Sequence, residues 1–261
     1  MNLAIETKDL SRYFGTAKTE LFCAVDRVNL RVERGTFYGF LGPNGAGKST
    51  TIKMLTGLLA PSRGEIYVLG KNMANAQASL EAKSRIGVLP EDLALFDNLT
   101  AREQLTFVGR MHLLPPDTIR ERTDQLLSLL SLDGDEKKLT LEYSHGMKKK
   151  LSLAAALLSN PDLLFLDEPF EGVDAVTSRT IRDTLKGFVE RGSTVFLTSH
   201  VLDVVEKLCT HVGIIVKGQL VEQASLDEIR QGSSLEERFL EKVGADAEAG
   251  HKLSWLEDAT P

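Results

Sequence analysis

A chain of 261 residues with 42% hydrophobic and 26% charged side chains has the make-up of an ordinary globular protein, which excludes a disordered or fibrous body. Its net charge of -6 repels a phosphodiester backbone, so nucleic acid is not an expected partner. Cys23 and Cys209 stand far apart without metal or redox spacing and read as buried free thiols in a reducing compartment.

The opening segment MNLAIETKDLSRYFG lacks the basic and apolar regions of a signal peptide. No apolar run nears the roughly 18 residues of a membrane span. The expectation is a cytoplasmic chain. Thr36 to Leu41 (TFYGFL) reads as a buried strand closed by Gly42, and Lys48 to Leu59 follows helical spacing. Glu65 to Leu69 reads as a second strand, then comes a polar stretch from Lys71 and a third strand at Ile86 to Leu89.

From Leu99 to about Asn160 only helical patterns occur. Thr100 and Glu103 form a capping box ahead of a Leu/Phe-periodic segment, and Pro115-Pro116 separate it from a helix through Arg120 to Leu132. A further helix from about Gly146 to Leu158 stops before Asn160-Pro161. Strands return at Leu163 to Leu166 and Thr194 to Thr198, nearly continuous in apolar residues, as strands covered on both faces are. Between them Ala175 to Arg191 is helical and ends at Gly192. Lys217-Gly218 signals a hairpin after Val212 to Val216, and Ser233 to Gly244 reads as a helix before an Ala/Asp/Glu-rich tail that receives no assignment.

Three constellations carry chemistry. Gly42, Pro43, Asn44, Gly45, Ala46, Gly47, Lys48 and Ser49, followed by Thr50, fill every fixed place of a phosphate-binding loop between a strand and a helix. Backbone N–H groups wrap the phosphates, Lys48 reaches the β and γ phosphates, and Ser49 offers a hydroxyl to Mg²⁺. ATP is the expected ligand. Leu163 to Pro169 (LLFLDEP) ends a core strand in adjacent carboxylates, which a parallel sheet delivers to the same edge as the loop. Asp167 suits an Mg²⁺ role and Glu168 the base that orients the attacking water. His200, in TSH after the next core strand, reaches that edge too and suits a hydrogen bond to the γ-phosphate or the water.

In that order GPNGAGKST, YSHGM at Tyr143 to Met147, LLFLDEP and TSH resemble the ATP-binding subunit of an ABC transporter, over roughly Leu3 to Gly244. The resemblance implies an α/β fold: a P-loop NTPase (RecA-like) core with an antiparallel β subdomain and an inserted α-helical subdomain. It implies an ATP-binding domain over 1–232, with the helical subdomain at about 91–160, and a C-terminal helix and acidic tail over 233–261. YSHGM stands where the family has its LSGGQ signature, which closes over ATP held by a partner subunit, and Ser144 and Gly146 keep the hydroxyl and close backbone approach. Phe14 corresponds to the aromatic that stacks on adenine, with Tyr13 as the fallback. Asp174 matches an acidic residue that communicates across the dimer. Glu91, in VLPED, stands where a glutamine that senses Mg²⁺ is usual.

Implied partners are a second ATPase subunit, identical or different, and a transmembrane permease on a separate chain that would bring this one to the cytoplasmic face of the membrane. Glu91, His145 and Met147 depart from the family pattern in a manner similar to one branch of exporters. The Lys148 to Lys150 run reads as a solvated basic face, with a phosphate- or membrane-facing role as the other reading. Rival readings are a soluble ABC ATPase acting on DNA or ribosomes, a P-loop kinase or GTPase, and a nucleotide-sensing module with weak hydrolysis. The chain lacks a long coiled-coil insertion, a second ATPase module and a guanine-reading NKxD segment.

Overall fold

The computed structural model describes residues 2–15, 21–93 and 95–244. Six strands form the central sheet: β4 (Phe37–Leu41), β7 (Ile86–Leu89), β8 (Leu163–Asp167), β9 (Thr194–Ser199), β10 (His211–Val216) and β11 (Gln219–Ser225). Their order is β11-β10-β4-β9-β8-β7, parallel throughout except for β11, which pairs antiparallel with β10. A second sheet joins β1 (Leu3–Phe14), β2 (Phe22–Val28), β3 (Arg31–Glu33), β5 (Arg63–Val68) and β6 (Lys71–Asn72) in antiparallel pairs.

Continuous apolar runs in β4, β8 and β9 are explained by burial on both faces: every residue of these three strands is buried. Alternation still sorts the side chains. Tyr38, Phe40, Phe165 and Phe196 point into a core shared with the antiparallel sheet and α1 (Lys48–Leu55), with Tyr38 stacked on Phe196 at 5.5 Å. Phe37, Leu41, Leu164, Leu166 and Leu197 point the other way. There they meet α3 (Ala101–Met111), α4 (Pro116–Leu129), α5 (His145–Leu158) and α6 (Ala175–Glu190), the first three of which also pack on one another.

Local signals explain most element ends. The Thr100–Glu103 capping box opens α3, and Gly244 in the left-handed region closes α9 (Leu235–Val243). The hairpin between β10 and β11 turns at Lys217 and Gly218, both at positive φ. Four expectations need correction. α1 ends at Leu55 rather than Leu59, because Gly57 turns the chain at φ 70°. The stretch after Lys71 holds β6 and α2 (Ala76–Lys83), which Asn75 caps. α4 begins at Pro116 itself, where a missing N–H costs nothing in the first turn. Cys209 is a buried free thiol as expected, but Cys23 is only half-buried.

α7 (Leu202–Leu208), α8 (Leu226–Arg230) and two 3-10 turns at Asp133–Asp135 and Thr140–Glu142 complete the described elements. The acidic tail lies outside the described residues, and among these no helix is long and apolar enough to cross a membrane.

Candidate nucleotide site

Strand register decides where the chemistry collects. Leu41 pairs with Ser199, Asp167 with Thr198 and Leu89 with Leu166, so the carboxyl ends of four parallel strands align. Gly42, Glu91, Glu168 and His200, each just past one of these strand ends, therefore fall along one edge of the sheet. A cleft of about 500 Å³ opens there. It is lined by Phe14, Phe22 and Ala24, by Asn44, Gly45, Gly47, Lys48, Ser49 and Thr50 of the loop and the start of α1, and by Glu91, Asp167, Glu168, Glu171 and His200. Gly42, Pro43 and Ala46 of the same loop lie outside this lining.

Two positions of the loop, Gly47 and Gly42, have no room for a side chain. Gly47 is the N-cap of α1 at φ 107°, and a Cβ there would lie 2.5 Å from the Ala24 carbonyl oxygen. A Cβ on Gly42 would lie 2.4 Å from the Ile215 carbonyl oxygen. Pro43 accepts from the Ala46 N–H at 3.1 Å, which tightens the loop, and the buried Ala46 accepts from the Gly218 N–H. No side chain caps α1, and the N–H groups of a first helical turn have no acceptor within their own helix. Lys48 is buried and donates to the Gly42 carbonyl at 2.7 Å and the Pro43 carbonyl at 3.3 Å. An ammonium on the loop carbonyls beside an uncapped helix N-terminus makes this a candidate anion site.

The acidic end is built to match. Asp167, 2% exposed, accepts from the Thr198 hydroxyl, and burial pushes its carboxyl above the usual range. Glu91 and Glu168 push the same way, while the Thr198 and Ser49 hydroxyls oppose them. Ser49 Oγ donates to Glu91 Oε2 at 3.0 Å. Among the described residues no three His, Cys, Asp or Glu side chains form a metal cage. A donor set of one hydroxyl and two carboxylates fits Mg²⁺, which keeps several waters and takes phosphate oxygens as ligands.

Glu168 sits at φ 47°, a left-handed backbone that is rare for a residue bearing a Cβ, and its N–H donates to Thr198 Oγ1 at 3.1 Å. Its Oε1 lies 3.0 Å from His200 Nδ1. A carboxylate and an imidazole in contact beside an anion site can orient water for attack on phosphorus. Of Phe14 and Tyr13, only Phe14 lines the cleft. It is 39% exposed and carries the Arg12 guanidinium 4.7 Å from its ring centroid. Tyr13 lies outside the lining, under Arg63.

Three further residues proposed from sequence are elsewhere. Ser144 is exposed and caps α5 by accepting from the Met147 N–H, and Gly146 lies beside Gly172; neither lines the cleft. Asp174 caps α6, and its hydrogen bonds from the Thr177 side chain and backbone hold its carboxyl down at about 2. The lysine run is not a solvated face. Lys148 pairs with Asp97 and Lys150 with Asp174, and Lys149 is buried, because the first turns of α5 dock on the loop after β8.

Sequence reasoning missed Phe22, Glu171 and the structural use of Thr198. Phe22 pairs directly with Phe14 across β1 and β2, a register that no motif encodes. For Thr198 the signal was present in TSH, next to His200.

A profile of the ABC transporter family matches residues 25–171, more than half of the chain. The chain belongs to that family. This ABC subunit is 38% identical over 232 residues to the bacitracin transport ATP-binding protein BcrA of Bacillus licheniformis, covering 88% of its own length and 72% of that protein. It is 36% identical over 234 residues to the probable multidrug ABC transporter ATP-binding protein YbhF of Escherichia coli, covering 90% of this chain and 39% of that one. A solved ATP-binding subunit of an ABC transporter superposes with a TM-score of 0.82 at 30% identity, covering 91% of this chain and 98% of that one. These likenesses establish the P-loop NTPase fold and the assignment as an ATP-binding ABC subunit.

Proposed function

We propose that this ABC subunit hydrolyses ATP in a site completed by a second ATPase subunit, and that the reaction drives a separate transmembrane permease of exporter type. One observation carries the reading. Lys48, Ser49, Glu91, Asp167, Glu168 and His200 line one cleft, while the exposed Ser144 and the half-buried Gly146 lie outside it. In a pair of subunits each exposed signature would meet the other's cleft. The names of BcrA and YbhF, a bacitracin and a probable multidrug transport protein, support export. A permease partner implies attachment to the cytoplasmic face of the membrane.

Gly42 to Thr50 wrap the phosphates, with backbone N–H groups and the Lys48 ammonium facing the β and γ oxygens. Phe14 stacks on the base. Ser49, Glu91 and Asp167 would hold Mg²⁺, which supplies charge stabilisation at the phosphates when bound. Glu168 takes the proton of the attacking water or orients it, and His200 contacts Glu168 through Nδ1. With Nδ1 donating to that carboxylate, a second donation from Nε2 to the γ-phosphate requires the imidazolium form. Ser144 and Gly146 cover the partner's γ-phosphate, and Asp174 lies at the seam between subunits. Contacts to the γ-phosphate exist only while ATP is intact, so binding closes the dimer and hydrolysis reopens it.

The test is E168Q. Hydrolysis should fall by about 100-fold or more while ATP affinity stays within about twofold, and a stable ATP-bound dimer should appear by size exclusion. An E168Q protein that binds ATP yet stays monomeric contradicts the composite site.

A further inference from the structure

Lys148, Lys149 and Lys150 are consecutive on α5 but meet different surroundings. Lys148 and Lys150 lie 3.4 Å from Asp97 and 3.7 Å from Asp174. Lys149 is 5% exposed, forms no ion pair within 4 Å among the described residues, and donates to the Glu171 carbonyl oxygen at 2.9 Å. A buried ammonium is costly unless it is hydrogen-bonded and balanced by nearby charge. Burial lowers its proton affinity, and Glu171, Glu168, Asp167 and Glu91 oppose that push. All four line the cleft. The negative charges that balance the buried cation are thus those of the acidic end of the cleft.

The carbonyl it holds belongs to the short loop that begins at Glu168. At its near end the loop is set by the Glu168 N–H bond to Thr198, by the positive φ of Glu168 and by the Glu171 N–H bond to the Glu168 carbonyl at 3.3 Å. At its far end Gly172, at φ 70°, is seated on the start of α5: a Cβ on Gly146 would lie 3.1 Å from its carbonyl oxygen. A left-handed residue bearing a side chain persists only where its surroundings over-determine it. Lys149 supplies the polar contact from α5 between those two ends.

We propose that Lys149 is a positioning residue: by clamping the Glu171 carbonyl with a buried positive charge it fixes the loop that carries the Glu168 carboxylate. This rests on the reading of Glu168 as the base. It ties that base to the first turns of the helix whose Ser144 end faces the second subunit.

The experiment uses the full chain with K149Q, which keeps a donor and removes the charge, and K149R, which keeps both. Steady-state hydrolysis with Mg²⁺ is read beside binding of a fluorescent ATP analogue and thermal melting. K149Q should lower kcat about tenfold or more with KM, affinity and melting temperature nearly unchanged, and K149R should recover part of the loss. In an E168Q background, single-turnover hydrolysis should show less than about a twofold further loss from K149Q.

Wild-type kcat in K149Q overturns the proposal. So does a parallel loss of affinity and melting temperature, which marks general destabilisation, or losses that multiply in the double variant, which mean Lys149 acts apart from Glu168. Wild-type hydrolysis by E168Q alone would instead overturn the reading of Glu168, and the role of Lys149 with it.

Discussion

The starts of α1 and α5 both present the N-terminus of a helix, yet they are built in opposite ways. α1 begins at Gly47 with no side-chain cap, inside a cleft that its own chain lines with Lys48, carboxylates and aromatics. α5 begins at an exposed Ser144 that satisfies its own helix through the Met147 N–H, and no part of the described cleft reaches it. The first is a site within one chain. The second is a surface with a spare hydroxyl lone pair and a glycine that lets backbone come close. A complete phosphate loop says little about the machine it serves, whereas the exposed, self-capped Ser144 is the feature on which the proposed second subunit rests.

That contrast can be broken with single substitutions. K48A should weaken ATP binding by roughly 100-fold and abolish hydrolysis, since it removes the charge held on the loop carbonyls. S144A should leave the affinity of the monomer unchanged and lower hydrolysis by roughly tenfold, measured at protein concentrations where dimers form. If S144A weakened ATP binding by the isolated monomer, the separation of the two helix starts would be wrong.

A smaller effect sharpens the aromatic end of the cleft. F14A should raise the dissociation constant for ATP about five- to twentyfold through lost stacking, with Y13A within about twofold of wild type by the same titration. Equal losses for the two would remove the structural reason for preferring Phe14.

The smallest effect concerns a third helix start, that of α6, capped by Asp174. Its carboxyl is held at about 2, below the ordinary 3.8, so the stability it confers is present above the ordinary value and is lost as pH falls through about 2. The melting-temperature difference between wild type and D174N should therefore be present at pH 5 and shrink between about pH 4 and 2. A difference that grows on acidification would reverse the sign of this linkage.

Much of this protein was legible before folding. Gly42 to Ser49 form a local motif whose loop conformation is dictated by its own glycines, and β4, β8 and β9 declared themselves through unbroken apolar runs. The capping box of Thr100 and Glu103 was legible for the same reason: the interacting groups are three residues apart. The strands of the antiparallel sheet that precede the loop were not legible. Half-buried strands such as β1 and β2 carry mixed polarity, and their pairing joins residues whose partners no local pattern announces.

The motifs alone were enough to name ATP as the expected ligand, the strands that carry the carboxylates and the family. Tertiary structure alone decided that Phe14 rather than Tyr13 faces the cleft, that Phe22 stands opposite it, and that Glu91 reaches Ser49. It also turned a run of three lysines into two ion pairs and one buried clamp on the Glu171 carbonyl. The physical reason is range. Backbone conformation and burial patterns are set by neighbours along the chain, but the field and the hydrogen-bond partner of Lys149 come from a loop 22 residues away in sequence and become visible only when α5 docks against it.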